Sequence, residues 1–331
     1  MLLQEITQVF EWIDSPQASG RQIAAFLEKA RANTVGSQLE VQSLEGEQGS
    51  TELIKLIIPG VQGRLRGGLA PTLGIIGLLG GVGTRPAQIG AVSDADGAIV
   101  ALACGLKLLD MAQKGERLDG DVIITTHICP QAPTVPHDPV PFMGAPVSLP
   151  EMLAFLVDAR MEAILSVDAT KGNEVINCNG FAISPTVKEG YILRVSPDLL
   201  RLMKIVTGKP PVTFPLAIQD ITPYGNELYH INSIMQPATV TTSPVVGVAI
   251  TSGQVIPGVA TGANDPLALE AAARFCVEVA KAFGRKACRF YDEGEFHRLQ
   301  ELYGSMTIFQ TRGREGGERE EKTPTKTYKK L

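Results

Sequence analysis

Carboxylates and imidazoles that gather where buried strands end can hold a divalent cation or exchange protons with a substrate. Several positions in this sequence have that character. Asp94 and Asp96 stand just ahead of a long apolar helical pattern. His127 closes an apolar run and Cys129 follows it. His137 and Asp138 are adjacent in a proline-rich loop, and Asp168 ends the run Glu162-Ala-Ile-Leu-Ser-Val-Asp168. A metal held among such groups could lower the pKa of a bound water and polarise a carbonyl. Each residue also has a purely structural reading. Asp96 pairs with Ser93 as a capping box, Asp94 complements the helix dipole, and Asp168 opens an Asx turn. His127 is then a satisfied core histidine, and His137 a solvated loop residue.

The elements that must position these residues follow from periodicity. Apolar residues at helical spacing predict helices within 3–32, broken at Ser15-Pro16, and at 93–113, 149–158, 197–206, 225–234 and 265–283. Apolar runs bounded by Gly, Pro and Asp predict strands at 52–58, 73–79, 121–127, 162–168, 190–195, 212–218 and 245–250. Alternating strands and helices imply an α/β fold: three layers, α-β-α, around a mainly parallel mixed sheet with right-handed crossovers. Ligands of such sheets bind beyond the carboxyl ends of the strands, which is where the candidate residues fall. The loop from Cys129 to Pro150 carries prolines at 130, 133, 136, 139, 141, 146 and 150, so it is stiff in spite of its length and suits the wall of a binding site.

With 331 residues, 44% hydrophobic and 20% charged, the chain can bury a core without staples. A single domain over 1–305 and a charged, disordered tail over 306–331 are expected. The net charge is −5 and no basic cluster marks the core, which argues against nucleic acid as a partner. The five cysteines have no zinc-knuckle or redox spacing, and no basic-then-apolar leader opens the sequence. The expectation is reduced thiols in a cytoplasmic protein with no membrane partner. From Leu228 to Asn264 there is no Asp, Glu, Lys or Arg, which predicts core, a homo-oligomer interface, or both. The glycines of Gly77-Leu-Leu-Gly80-Gly81-Val-Gly83 lack the third glycine of a dinucleotide site, and no Gly-Lys-Ser/Thr follows, so close backbone packing explains them better.

The segments Gly90-Ala-Val-Ser-Asp94-Ala-Asp-Gly97 and Ser166-Val-Asp168-Ala-Thr give the chain a resemblance over about residues 1–285. It resembles the co-catalytic zinc aminopeptidases and amino-acid deacylases, and more closely a bacterial family of uncharacterised proteins with the same layout. The resemblance implies a zinc-exopeptidase-like fold, with Asp94 and Asp168 as metal ligands. Pro223-Tyr-Gly-Asn-Glu-Leu and Ser243-Pro-Val-Val-Gly-Val-Ala-Ile resemble that family's penultimate helix and strand. The pattern departs elsewhere. No His-x-Asp follows Leu78-Leu79-Gly80, Ile128-Cys129-Pro130-Gln131 replaces a Glu-Glu pair, no histidine stands around Pro257–Asn264, and Gly83 to Ser93 leaves no room for a lid insertion.

Together these readings lead to a hydrolase with at most one divalent metal, zinc or manganese, acting on an amide-bearing small molecule or amino-acid derivative. Asp94, Asp168 and His127 would hold the metal, His127 and His137 would serve catalysis, and Asp96, Cys129, Asp138 and Asn226 would contact substrate. The alternatives are a non-catalytic small-molecule binder on a degenerate peptidase scaffold and an oligomeric structural protein.

Overall fold

The structure, a computed structural model, describes residues 1–78, 80–82, 90–138 and 140–313. Helices α1 (Leu3–Asp14) and α2 (Gly20–Arg31) turn the stripes Ile6, Val9, Ile13 and Ile23, Ala24, Leu27 inward. The Ser19 hydroxyl accepts the Gln22 N–H and starts the second helix. A hairpin follows, β1 (Gln38–Gly46) and β2 (Gly49–Ile58), and then β3 (Leu73–Gly77). A single 3-10 turn, Ser93–Ala95, leads into α3 (Asp96–Gln113). After β4 (Val122–Ile128) the proline-rich loop carries a two-residue ladder, β5 (Thr134–Val135) with β6 (Phe142–Met143). Next come α4 (Leu149–Leu156), β7 (Ala163–Ala169), β8 (Gly180–Ile183), β9 (Val187–Lys188), β10 (Tyr191–Ile192) and α5 (Pro197–Thr207). The chain continues through β11 (Val245–Thr251), α6 (Pro266–Gly284) and α7 (Glu293–Tyr303).

Among the described residues the main sheet runs β1-β2-β4-β3-β7-β11-β9-β10, with β8 also on β11. The β4, β3, β7 and β11 strands at its centre run parallel to one another, with antiparallel β2, β8 and β9 flanking them, and every residue of the four is buried. Such two-sided burial explains why these strands read as continuous apolar runs. One face packs against α1, α2, α3, α5 and α6. The other is covered by α4 and by an irregular segment through Phe214, Ile221, Ile234, Met235 and Ala238. The result is the three-layer, mainly parallel mixed arrangement that the sequence predicts.

Helix α3 lies unusually close to the sheet, and two glycines make that possible. A Cβ on Gly97 would sit 2.5 Å from the Val167 carbonyl oxygen and 2.6 Å from that of Leu78. One on Gly77 would sit 2.4 Å from the Gly97 oxygen. Any side chain there would push the start of α3 off the strand ends.

The structure corrects several expectations. Strand β1 was not foreseen, because its alternation of Glu40, Gln42 and Glu45 with small apolar residues is that of an exposed edge strand. Residues 212–218 make only an isolated bridge, Ile183 to Thr213, since Pro210, Pro211 and Pro215 break any ladder. The 190–195 strand shrinks to β10. No helix forms at 225–234, so the supposed penultimate helix at Pro223–Leu228 is absent. There the Asp220 carboxylate accepts the Ala217 and Ile231 N–H groups, and Gln236 accepts from Tyr224 and donates to Thr222, while Gly225 and Glu227 take positive φ. Side chain–backbone bonds of this kind compete with a helix. Much of the uncharged stretch is core rather than surface: Ser233–Thr239 is buried, with Met235 fully so.

The first residues of the segment expected to be a disordered tail are ordered. A 3-10 turn at Thr307–Gln310 packs Phe309 against the second core, and the Gln310 amide donates to the carbonyls of Ala238 and Thr241 at 2.8 and 2.7 Å. Residues 314–331 lie outside the described residues. A chain ending after Gly304 loses these contacts, so its stability should fall by about 2–3 kcal/mol, counting roughly 1 kcal/mol per hydrogen bond plus the buried ring area. One ending after Gly313 should melt like the full chain. Equal melting temperatures for both truncations would show that the turn contributes nothing.

Candidate functional site

The parallel strands deliver their C-terminal ends to one edge, and the N-terminus of α3 meets them there. Ser93, Asp94 and Asp96 enter from the helix side, Asp168 and Lys171 from the end of β7. Gly80 and Gly81 follow β3, and His127 and Cys129 close β4. A fifth segment, 259–264, is stitched on by backbone bonds from Ser93 N to Thr261 O and from Asp94 N to Val259 O, at 2.8 and 3.0 Å.

A buried ion pair ties these pieces together. The Lys171 ammonium lies 2.6 Å from Asp96 Oδ2, and both side chains are wholly out of solvent. Its remaining donors go to the Ala263 carbonyl at 2.7 Å and Ser93 Oγ at 3.2 Å. The other Asp96 oxygen, Oδ1, accepts Asn264 Nδ2 at 2.6 Å, and the same amide reaches the Val92 carbonyl at 3.0 Å. Burial raises the Asp96 carboxyl, while Lys171 and then Asn264 pull it back. Asp96 is therefore not half of a capping box. No side chain caps the start of α3, and the carboxylate is committed to a lysine that lies distant in sequence.

Asp94 and Asp168 are different. Asp94 is 4% exposed, and its carboxyl makes no hydrogen bond or ion pair among the described residues; a Cβ on Gly81 would lie 3.2 Å from its Oδ2. Burial, then the neighbouring Asp168 and Asp96, hold it well above the usual carboxylate range. Asp168 is fully buried; its Oδ1 accepts the Ala169 N–H at 2.7 Å and its Oδ2 accepts the Ser233 hydroxyl at 2.9 Å. These two donors do not offset burial, and the carboxyl is pushed up to about 7. This is no Asx turn, because the one N–H that the carboxylate accepts belongs to the next residue, Ala169, and not to one two residues on. The two carboxyls thus lie within electrostatic reach of each other.

His127 does what a core histidine does. Its Nε2 accepts the Gly80 N–H at 3.2 Å, which places the proton on Nδ1, 3.1 Å from Thr51 Oγ1; that hydroxyl donates onward to the Ile128 carbonyl at 3.2 Å. Burial lowers its pKa to about 4. With both nitrogens engaged, the ring is neither a free ligand nor a free base. Cys129 is buried, its thiol facing the Ser50 carbonyl at 3.5 Å, and burial with Asp94 nearby pushes it up to about 11, so it contributes wall rather than contact. It packs with Val92, Ala132, Met143 and Ala260, which fastens the proline-rich loop over this edge. His137 and Asp138 are exposed on that loop, outside the buried cluster, with His137 Nδ1 3.3 Å from the Val140 carbonyl. Asn226 donates to Pro223 in a local turn.

Lys171, Ser233 and Asn264 were missed by the sequence reading, as were Tyr224 and His230. The Tyr224 phenol is held un-ionised by burial and by Asp168 and Asp220, and its ring stands 4.2 Å from that of His230, whose two nitrogens are buried without partners. No periodicity flags any of them, since each acts from an irregular segment. Open clefts of about 260 and 610 Å³ lie elsewhere, beside Ser196 and beside Gly284. The charged residues of the first pair with one another or with their neighbours, Arg194 with Glu295 and Arg289 with Asp198.

The donor set does not fit the zinc or manganese ion that the resemblance implies. Asp94 and Asp168 are carboxyls of the right kind, but Asp96 and His127 are engaged. Among the described residues no group of three or more His, Cys, Asp or Glu could hold a metal. Residues 83–89, outside the described set, add none of these four residue types.

The arrangement is that of an α/β protein with a zinc-exopeptidase-like fold. The chain belongs to a family described as proteins of unknown function (DUF1177), whose model matches residues 42–313. No curated protein matches the sequence. Among solved structures it is similar to a glutaminyl cyclase from an Acidobacteriales bacterium, at 12% identity and TM-score 0.50, over 86% of this chain and 94% of that one. It is also similar to a cytosol aminopeptidase from Coxiella burnetii (12%, TM-score 0.49, 86% and 69%) and to the bottromycin maturation enzyme BotP in complex with Mn (12%, TM-score 0.48, 85% and 70%).

A buried carboxyl raised from 3.8 to about 7 costs the folded state on the order of 4 kcal/mol once it ionises. The folded form holds a proton that the unfolded form has released, so the cost grows as pH rises from about 4 and levels off above about 7. Asp168→Asn keeps an acceptor without the charge. Its stability relative to wild type should therefore climb across that window and vanish near pH 4 in urea melts. A difference that does not change with pH would remove this account of Asp168.

Proposed function

We propose that the protein is a hydrolase of amide-bearing small molecules or amino-acid derivatives, working through the Asp94 and Asp168 carboxyls. The observation that carries the reading is the Asp94 carboxyl, buried near Asp168 where the parallel strands end and without a hydrogen-bond or ion-pair partner among the described residues. A group that costs stability and satisfies nothing internally belongs to something the protein acts on. Two carboxyls whose surroundings hold them at different protonation levels divide the roles of acid and base. Ionised Asp168 takes a proton from water as its oxygen attacks the amide carbonyl. Protonated Asp94 gives its proton to the departing nitrogen as the C–N bond breaks.

A second reading is favoured by one observation: Asp96 and His127, at the same edge, have their hydrogen-bonding capacity fully used within the protein. On that reading the edge binds a small molecule without turning it over. In either case the ligand is small, and the free thiols of all five cysteines suit the cytoplasm. None of the described helices is long and apolar enough to cross a membrane. A homo-oligomer would use the exposed apolar residues of the uncharged stretch, Tyr229, Val240 and Val255, and solution mass decides it.

The test is a screen of the purified protein against N-acyl amino acids, amino-acid amides and dipeptides. Asp94→Asn and Asp168→Asn should each reduce kcat/KM by roughly 100-fold or more, the usual weight of a proton-transfer group. The wild-type profile should rise near pH 7 as Asp168 ionises and fall at higher pH as Asp94 loses its proton. Hydrolysis that survives both substitutions would sink the mechanism. Binding of a screened compound without turnover would establish the second reading.

A further inference from the structure

We propose that Lys171 is the resident cation of this crevice, standing in for a divalent metal, so that the site assembles without one. This role of Lys171 is independent of the hydrolase reading and follows from its contacts. A metal in such a crevice draws segments from different strands onto one charge. The Lys171 ammonium does this with three hydrogen bonds: to Asp96 at the start of α3, to Ser93 in the turn before it, and to the Ala263 carbonyl in the 259–264 segment. The lysine itself hangs from the end of β7, two residues beyond its last strand position, Ala169. Asn264 completes the arrangement by bridging Asp96 to the Val92 carbonyl.

The lysine also occupies what a metal would need. Asp96 is the third carboxylate of the cluster, and both its oxygens are taken, one by Lys171 and one by Asn264. With His127 bound to Gly80 and Thr51, only Asp94 and Asp168 remain, fewer than the three protein ligands of a typical catalytic zinc site. All three ammonium donors are spent inside the protein, so Lys171 is a positioning residue that touches no substrate.

Two measurements test this. Full-length protein, dialysed against EDTA, is assayed for zinc and manganese by mass spectrometry and melted with and without each ion. No stoichiometric metal and an unchanged Tm are expected. Metal retained through dialysis, or a Tm that rises with either ion as binding to the native state requires, overturns the proposal. The second is a double-mutant cycle. Lys171→Met and Asp96→Asn each strand one buried partner and should lower Tm by on the order of 10 °C. The double variant, with neither charge of the pair left, should recover most of that loss. If neither single variant folds, recovery in the double variant reads the same way. Losses that simply add, or a double variant that does not fold, would show that the pair does not hold the crevice together.

Discussion

An ammonium and a carboxylate taken wholly out of water lose several kcal/mol of hydration each, and their attraction repays this only with close geometry and every remaining donor matched. Lys171 and Asp96 meet those terms: a 2.6 Å contact, with the leftover hydrogen-bonding capacity absorbed by Ser93, Ala263 and Asn264. Much of the crevice depends on this one arrangement. It sets where α3 begins, and α3 is buried almost from end to end between the sheet and α1 and α6. It fixes the 259–264 segment, whose backbone in turn accepts the N–H groups of Ser93 and Asp94. Gly77 and Gly97 let the helix come close enough for the pair to form at all.

The same edge carries polar groups that the fold does not satisfy. Among the described residues Asp94 has no hydrogen-bond or ion-pair partner, and Asp168 has two that fall short of offsetting its burial. A domain with this much buried apolar surface tolerates a few such costs, because its margin is large compared with any one of them. Their position matters more than their number. Asp94 and Asp168 stand at the carboxyl ends of parallel strands, under a loop stiffened by proline and fastened through Cys129, Ala132 and Met143. Other buried polar atoms without a hydrogen-bond partner, those of Gln22, Arg31, Thr34 and Arg274 among them, lie on or beside α2 and α6; the two carboxyls differ in standing together where the parallel strands end.

The central strands and the long helices were legible in the sequence because burial on both faces writes itself as an unbroken apolar run or a 3.6-residue stripe. The runs 52–58, 121–127 and 162–168, and helices 93–113 and 265–283, each fall within a few residues of the structure. Asp94 and Asp168 were legible for the same reason, as charges placed where such patterns stop. Segment 212–240 was not. Its shape comes from Asp220 and Gln236 bonding backbone several residues away, and no periodicity encodes that. Lys171 was hidden differently. A lysine in a turn reads as solvated, and only the fold reveals that Asp96, 75 residues earlier, waits for it. His127 shows the reverse failure: a histidine at a strand end resembles a ligand until both nitrogens are found bound to Gly80 and Thr51.

Three carboxyls confined to one buried edge cannot all ionise without countercharge. A crevice of this shape can be neutralised by a metal, by a basic side chain or by protons, and here the last two share the task. Lys171 compensates Asp96. Among the described residues no cation compensates Asp94 and Asp168, and the solution left to them is to retain protons above the usual carboxylate range. Had a second cation been supplied, both would be ionised and inert as acids. Had none been supplied, Asp96 too would be driven toward its neutral form, and the junction of α3 with β7 would lose its strongest bond. A single internal lysine fits between these limits: enough charge to fix the scaffold, and too little to quench the two carboxyls beside it.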